Sequence, residues 1–198
     1  MGNKRYIKYS IIIPIYDPDN KKTDVINRCL RSIERHSKQY EYEVIQIWNT
    51  KGFPIAVNNG IRNANGDYIV ILNDDIEILE DDWLKKLTDS YSIVSYKLNR
   101  FFLTNQPFPD GSLWCMHKEI YNKIGLLDER FAVGYGFEDS DYWMRAVERN
   151  IGFKSSNINL KHEGSVTFNT YFKDNKEEMT SRCQSLFYEK WKDKIEKI

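Results

Sequence analysis

Tyr68-Ile-Val-Ile-Leu72 runs without a break into Asn73-Asp74-Asp75. An uninterrupted apolar stretch of this length has the composition of a strand buried on both faces, as in a parallel sheet with helices on either side. Such a strand ending in an amide and two carboxylates is a chemical signal as well. In open α/β sheets ligands gather at the carboxyl ends of the strands, so these acids are placed to meet one. Their hard oxygens suit Mg²⁺ or Mn²⁺, above all where substrate phosphates complete the shell. The alternative is a polar turn with solvated carboxylates, like those of nearby Glu77 and Glu80.

Upstream, Tyr9-Ser-Ile-Ile-Ile-Pro-Ile-Tyr16 is a second strand of the same kind, broken by Asp17-Pro18-Asp19-Asn20. Thr23 is expected to cap a helix reaching about Ser37, with Val25, Ile26, Cys29, Leu30 and Ile33 at helical spacing. Tyr42 to Trp48 reads as a strand, with Trp48 expected in the sheet interior and stacking on a nucleotide base as its other role. Phe53 to Asn63 reads as a helix stopped by the turn Asn65-Gly66. Downstream, a helix is expected near Asp81–Ser90 and a strand near Tyr91–Lys97. A loop over residues 99–111, a strand over Leu113–Met116 and a helix near Glu119–Ile124 follow. The Gly-rich aromatic stretch Gly134-Tyr-Gly-Phe137 precedes a helix from about Glu138 that carries Trp143, Met144 and Val147 on one face. A strand over Ile158–Lys161 and an amphipathic helix from about Asn175 complete the chain. Strands alternating with helices specify an α/β fold, a Rossmann-like, mostly parallel central sheet flanked by helices. No repeat or linker divides residues 1–198, so a single domain is expected.

Two more groups carry chemistry. Glu138-Asp139-Ser140-Asp141 opens a helix, where acids complement the helix dipole. The same carboxylates, crowded by like charge at a pocket rim, could serve as a general base. His162 ends an apparent strand; it is either structural or a neutral imidazole completing an Asp/His metal shell.

The order of these groups along the chain resembles the family-2 glycosyltransferases of the GT-A fold. Tyr9–Tyr16 looks like that family's opening strand, whose end touches the nucleotide. Gly52-Phe-Pro-Ile-Ala-Val-Asn-Asn-Gly-Ile61 and Ala64–Asp75 resemble the segment leading into its DxD motif, in the form with Asn first that its rhamnosyltransferase-like members carry. Ser112 to Phe131, with Gly125-Leu-Leu-Asp-Glu-Arg-Phe131, looks like the stretch bordering the acceptor, and Gly136-Phe-Glu-Asp-Ser-Asp-Tyr-Trp143 like the ED motif. The resemblance implies an inverting transfer from a nucleotide-diphosphate sugar, first of all a UDP-sugar, to a hydroxyl of a glycan acceptor. It implies Asp75 and His162 as ligands of Mn²⁺ or Mg²⁺, and Asp139 as the base with Glu138 beside it. Pro14, Tyr16, Asn49, Asn58, Asn73 and Asp74 are implied on the nucleotide sugar. Residues of about 9–100 would form the donor half, about 101–168 the acceptor half, and about 173–198 a C-terminal helix. The family's acidic turn after the second strand is shortened here to Asn49-Thr50-Lys51-Gly52, which leaves reading of the base to other residues.

Two other activities fit parts of the pattern: a non-catalytic sugar-nucleotide or glycan-binding module, and a sugar-phosphate nucleotidyltransferase. The latter normally carries a Gly-rich basic loop where Asp17-Pro18-Asp19-Asn20 stands. Lys and Arg number 29 against 29 Asp and Glu, so no net field draws nucleic acid. No apolar run has the length of a membrane span, and the scattered Cys29, Cys115 and Cys183 suit reduced thiols. A cytoplasmic protein is expected, with peripheral membrane contact through Phe187, Tyr188 and Trp191 as a secondary option and a homodimer or partner domain as possible company.

Overall fold

The structure, a computed structural model, describes Tyr6, residues 8–100 and residues 107–195. Strand β1 (Tyr9–Ile15) is followed by helix α1 (Thr23–His36), β2 (Tyr42–Trp48), α2 (Phe53–Asn63) and β3 (Tyr68–Leu72). Short elements come next: β4 (Ile76–Ile78), α3 (Trp83–Lys86), β5 (Ser92–Ser95), β6 (Leu98–Arg100) and β7 (Pro107–Pro109). Then follow β8 (Leu113–His117), α4 (Lys118–Ile124), α5 (Glu138–Glu148), β9 (Gly152–Ser155), β10 (Leu160–His162), α6 (Val166–Tyr171) and α7 (Lys176–Ile195). The main sheet has the order β2-β1-β3-β8-β5-β9. It is parallel except around β8, which runs antiparallel to both β3 and β5.

Burial on both faces explains the unbroken apolar strands. Ile12 of β1 packs with Val57 and Ile61 of α2, while Ile11 and Ile13 pack with Ile26, Cys29 and Ile33 of α1. Helix α2 can lie so close to β1 because Gly60 has no side chain; a Cβ there would collide with Ile12. The expected bounds of β2, α2 and β3 match the structure, and those of β1 differ by its last residue.

Several expectations need correction. The first helix starts at Thr23 without a side-chain cap from it; the Thr23 hydroxyl donates to Asn20 O, and the Asp17 carboxylate takes the free N–H groups of Lys21 and Lys22. The helix expected over Asp81–Ser90 shrinks to α3, because the Asp89 carboxylate accepts the N–H groups of Tyr91 and Ser92 and folds the chain into a turn. The loop expected over residues 99–111 is flanked by a ribbon in which β6 pairs with β7; its residues 101–106 lie outside the described residues. Val147 is 50% exposed, since the packed face of α5 is centred on Tyr142, Trp143 and Ala146. Trp48 is 48% exposed instead of buried, because β2 is an edge strand with one neighbour.

Helix α7 docks on the body through Cys183, Phe187 and Trp191, all buried, so the last two rings are committed to the core. A charged knot holds it there. Asp141 of α5 is fully buried and meets Arg145 Nε at 3.0 Å, Lys190 Nζ at 2.6 Å and the Trp191 indole N–H at 3.0 Å. Removing one member of such a group leaves uncompensated buried charge. Asp141→Ala is therefore expected to lower unfolding stability by about 3–5 kcal/mol. Urea unfolding checks this, and an unchanged midpoint would contradict it. Among the described residues, no helix is long and apolar enough to cross a membrane.

Candidate active site

The carboxyl ends of β1, β2 and β3 lie together, and the chain beyond each is held by specific bonds. After β3, the Asn73 N–H donates to Ser112 O at 2.8 Å and Asn73 O accepts from Ile76 N at 3.3 Å. This turn sends the next residues into β4, which pairs antiparallel with β10 and sets His162 opposite Ile76. His162, expected at the end of a strand over Ile158–Lys161, is the last residue of β10, which begins only at Leu160.

The pairing brings together residues far apart in sequence. His162 Nε2 and Asp75 Oδ1 lie 3.2 Å apart. Neither atom has a hydrogen-bond partner and both are buried, so the contact is one of charge without a directed bond. Burial alone would raise the Asp75 proton affinity, but the imidazole and the Val166 N–H outweigh it and hold the carboxyl below its usual value. The same carboxylate pushes the His162 imidazole up against the opposing effect of burial. An unmatched oxygen and an unmatched nitrogen, one hard and one borderline donor, suit a divalent ion of the Mn²⁺ type. At 3.2 Å apart the two donor atoms are close enough that one ion could take both. Among the described residues, no group of three His, Cys, Asp or Glu is arranged around a metal. Two protein donors leave positions for phosphate oxygens and water, the usual arrangement for a hard ion serving a nucleotide.

Asp74 faces a different partner. Its carboxylate is 2.6 Å from Lys22 Nζ, and both side chains are buried. Burial pushes the Asp74 carboxyl up to about 6, although Lys22 pulls it down. Lys22 Nζ also bonds Thr167 of α6. This lysine escaped sequence reading because Lys21-Lys22 after a polar turn has the look of solvated charge. Asp17 is buried as well, and the Tyr171 hydroxyl donates to its carboxylate.

Tyr16 packs its ring on Tyr171 and Phe172, at centroid distances of 5.5 Å and 5.3 Å. Asn49 has φ 51°, and its Oδ1 accepts the Asp17 N–H at 2.7 Å, tying the end of β2 to that of β1. Pro14, half-buried, pairs with Ile47 near the same end. Tyr16, Asn49, Asn73, Asp74, Asp75 and His162 thus share one edge of the sheet. Asn58 does not join them. It is fully buried, with Nδ2 donating to Leu127 O and Glu129 Oε1 and Oδ1 accepting from Leu127 N, each at 2.9 Å. That amide clamps α2 to the turn before α5.

Asp139 and Glu138 open α5 behind a sharp reversal, with Gly136 at φ 76° and Phe137 at φ 69°. A left-handed phenylalanine is strained by about 1 kcal/mol or more, and such strain is held only where surroundings fix it. The Asp139 carboxylate accepts the Ser140 N–H at 2.6 Å. Gly111 lies against it: a Cβ there would sit 2.7 Å from Asp139 Oδ2. Burial, then the neighbouring negative charges, raises the proton affinity of both carboxyls; Asp110 acts on Asp139, and Asp139 on Glu138. Asp110 also adds, after Asp75, to the raised proton affinity of His162. Sequence reading missed Asp110, since Pro109-Asp110-Gly111 is an ordinary turn signal.

Comparison with known proteins bears on the fold that carries these residues. Residues 46–93 match the sequence model of glycosyl transferase family 2. No curated protein matches the sequence. Among solved structures, Drosophila β1,4-galactosyltransferase 7 in complex with manganese, UDP-Gal and xylobiose is similar with a TM-score of 0.62 at 15% identity, covering 88% of this chain and 79% of its own. GalNAc-T7 with UDP, GalNAc and Mn²⁺ gives 0.63 at 11% identity, over 81% of this chain and 44% of its own. A mannosyltransferase from Pyrobaculum calidifontis with GDP-Man and Mn²⁺ gives 0.51 at 16% identity, over 77% and 55%. The chain has the GT-A fold of these glycosyltransferases.

Proposed function

We propose that this chain is a metal-dependent glycosyltransferase that moves a sugar from a nucleotide-diphosphate sugar to a hydroxyl of a saccharide acceptor, with inversion. The observation that carries this reading is the buried, unpartnered Asp75–His162 pair at the carboxyl edge of the sheet, with Asp139 across the turn at Gly111. Asp75 and His162 would hold Mn²⁺ or Mg²⁺. A bound dication there supplies positive charge for a departing diphosphate. Asp139 takes the proton of the acceptor hydroxyl, a role its raised proton affinity suits. Glu138 lies beside it for acceptor or donor sugar, and Asn73 and Asp74 flank the ribose and phosphates. A hydroxyl attacking from the face opposite the diphosphate inverts the anomeric carbon without a covalent enzyme intermediate.

A UDP-sugar is the first donor to test, supported by the UDP and UDP-Gal in two of the similar structures. Asn73 in the first position of the acidic motif favours the rhamnosyltransferase-like branch. Three buried free cysteines fit work in a reducing, cytoplasmic setting. Incubation with a panel of nucleotide sugars, with and without Mn²⁺, tests the proposal by release of nucleoside diphosphate. Metal-dependent release from at least one donor is expected. Tight nucleotide-sugar binding with no turnover on any acceptor or water would point to a binding module instead.

A further inference from the structure

We propose that Asp110, counter-charged by Lys97, is a positioning residue that tunes Asp139 as a proton acceptor. The inference rests on the catalytic reading of Asp139 above. Its basis is the geometry of the turn between β7 and β8.

Asp110 is held on every side. Its Oδ1 accepts the Ser112 N–H at 3.0 Å and the Ser112 hydroxyl. Its Oδ2 accepts Asn99 Nδ2 at 2.9 Å and lies 3.2 Å from Lys97 Nζ. Its own N–H donates to Lys97 O, and its carbonyl accepts the Ser95 hydroxyl. These bonds keep the carboxylate ionised and fixed, with its proton affinity below the usual value despite burial. The turn it begins touches both halves of the site. Gly111 lies against the Asp139 carboxylate, Ser112 O holds the Asn73 N–H, and the Ser112 hydroxyl reaches Tyr96 OH at 3.5 Å. The Tyr96 ring stands edge-on to His162 at 6.5 Å.

A fixed negative charge beside a base makes that base hold its proton more tightly. The titratable groups facing the Glu138–Asp139 pair are the Asp110 carboxylate from this turn and the neutral Cys183 thiol of α7, with the charged Lys97 standing behind Asp110. Asp141 points away, into the knot with Arg145 and Lys190. Of these, Asp110 is the one whose carboxylate is anchored to the backbone of the turn that Asp139 packs against.

The test compares Asp110→Asn and Lys97→Met with the unmodified protein. Carbon-13 NMR titration of the carboxylates, with Asp139 assigned from the Asp139→Asn spectrum, runs beside the pH dependence of transfer. Asn at 110 keeps an acceptor for Ser112 and removes the charge; Lys97 is half-exposed, so its replacement leaves the core alone. Asp110→Asn is expected to move the Asp139 midpoint and the acidic limb of the rate profile down by about 0.5–1 unit. Lys97→Met is expected to move both upward, because Asp110 then acts without its counter-charge. Opposite shifts are something a merely structural disturbance does not produce. Unmoved midpoints, or shifts of the same sign in both variants, would overturn the inference even with transfer intact. Opposite shifts in a protein that turns over no nucleotide sugar would uphold the coupling and overturn the catalytic reading instead.

Discussion

Asp139→Asn is expected to reduce sugar transfer by about 10²–10⁴-fold, the usual contribution of a positioned general base, while nucleotide binding changes less than about threefold. Asparagine has the shape of aspartate, so it fits beside Gly111, and its amide oxygen still accepts the Ser140 N–H. What it lacks is a lone pair basic enough to take a proton. The fold should tolerate the change. Losing an acid from the first turn of α5 removes a dipole interaction of about 0.3–1 kcal/mol, and relief of burial and of repulsion from Glu138 offsets it. Nucleotide binding should survive because Asp139 opens α5, whereas Asn73, Asp74, Asp75 and His162 stand on the segment after β3 and on β10. The pH dependence follows with a definite sign. Below the raised proton affinity of Asp139 the carboxyl is protonated and cannot accept, so the rate falls with acid from a point above the ordinary carboxylate range. Single-turnover transfer and calorimetric titration with nucleoside diphosphate measure the two halves of the claim. Undiminished transfer by the variant would remove Asp139 from the chemistry.

Sequence was sufficient where the deciding forces are local. The continuous apolar runs of β1 and β3 state burial on both faces, and Asn65-Gly66 marks the end of α2 within a residue or two. The acidic residues at the end of β3 announce themselves for the same reason: charge after an unbroken buried strand has few structural uses. What could not be read depends on partners distant along the chain. Lys22 is buried because Asp74 and Thr167 converge on it, and nothing within ten residues signals either contact. Asn58 looked like a ligand-facing amide, yet Leu127 and Glu129 take its polar atoms. Trp48 carries a core composition on a strand that tertiary topology leaves at the edge. Asp75 and His162 lie between these cases. Each was visible singly, but their meeting depends on the register of β4 against β10, and two strands this short leave almost no periodic trace.

Asp75→Ala is expected to weaken Mn²⁺ binding by more than about 100-fold and to abolish the dependence of nucleotide binding on the metal. Outer-shell changes alone commonly reduce metal affinity by about 10–100-fold, and Asp75 would be a direct ligand. It would also be the anionic one: His162 remains as a single neutral nitrogen, which holds a hard ion poorly. His162→Ala should act in the same direction, and the double substitution should weaken binding by less than the two single effects combined, since both serve one ion. The neighbouring acid separates metal binding from stability. Asp74 is occupied by Lys22, so Asp74→Asn leaves a buried ammonium without its counter-charge and should destabilise the fold by about 3–5 kcal/mol. It leaves both metal donors in place. Asp75→Ala has the opposite profile. The carboxylate it removes has one oxygen without a hydrogen-bond partner and one that takes only the Val166 N–H at 3.4 Å, and the His162 left behind can shed its proton, so unfolding stability should fall less than in Asp74→Asn while the metal response disappears. Titration of Mn²⁺ by electron paramagnetic resonance, with and without UDP, alongside urea unfolding of both variants, resolves the two profiles. If Asp75→Ala binds UDP with the same Mn²⁺ enhancement as the unmodified protein, the ion is held elsewhere and the pairing of β4 with β10 serves only the fold.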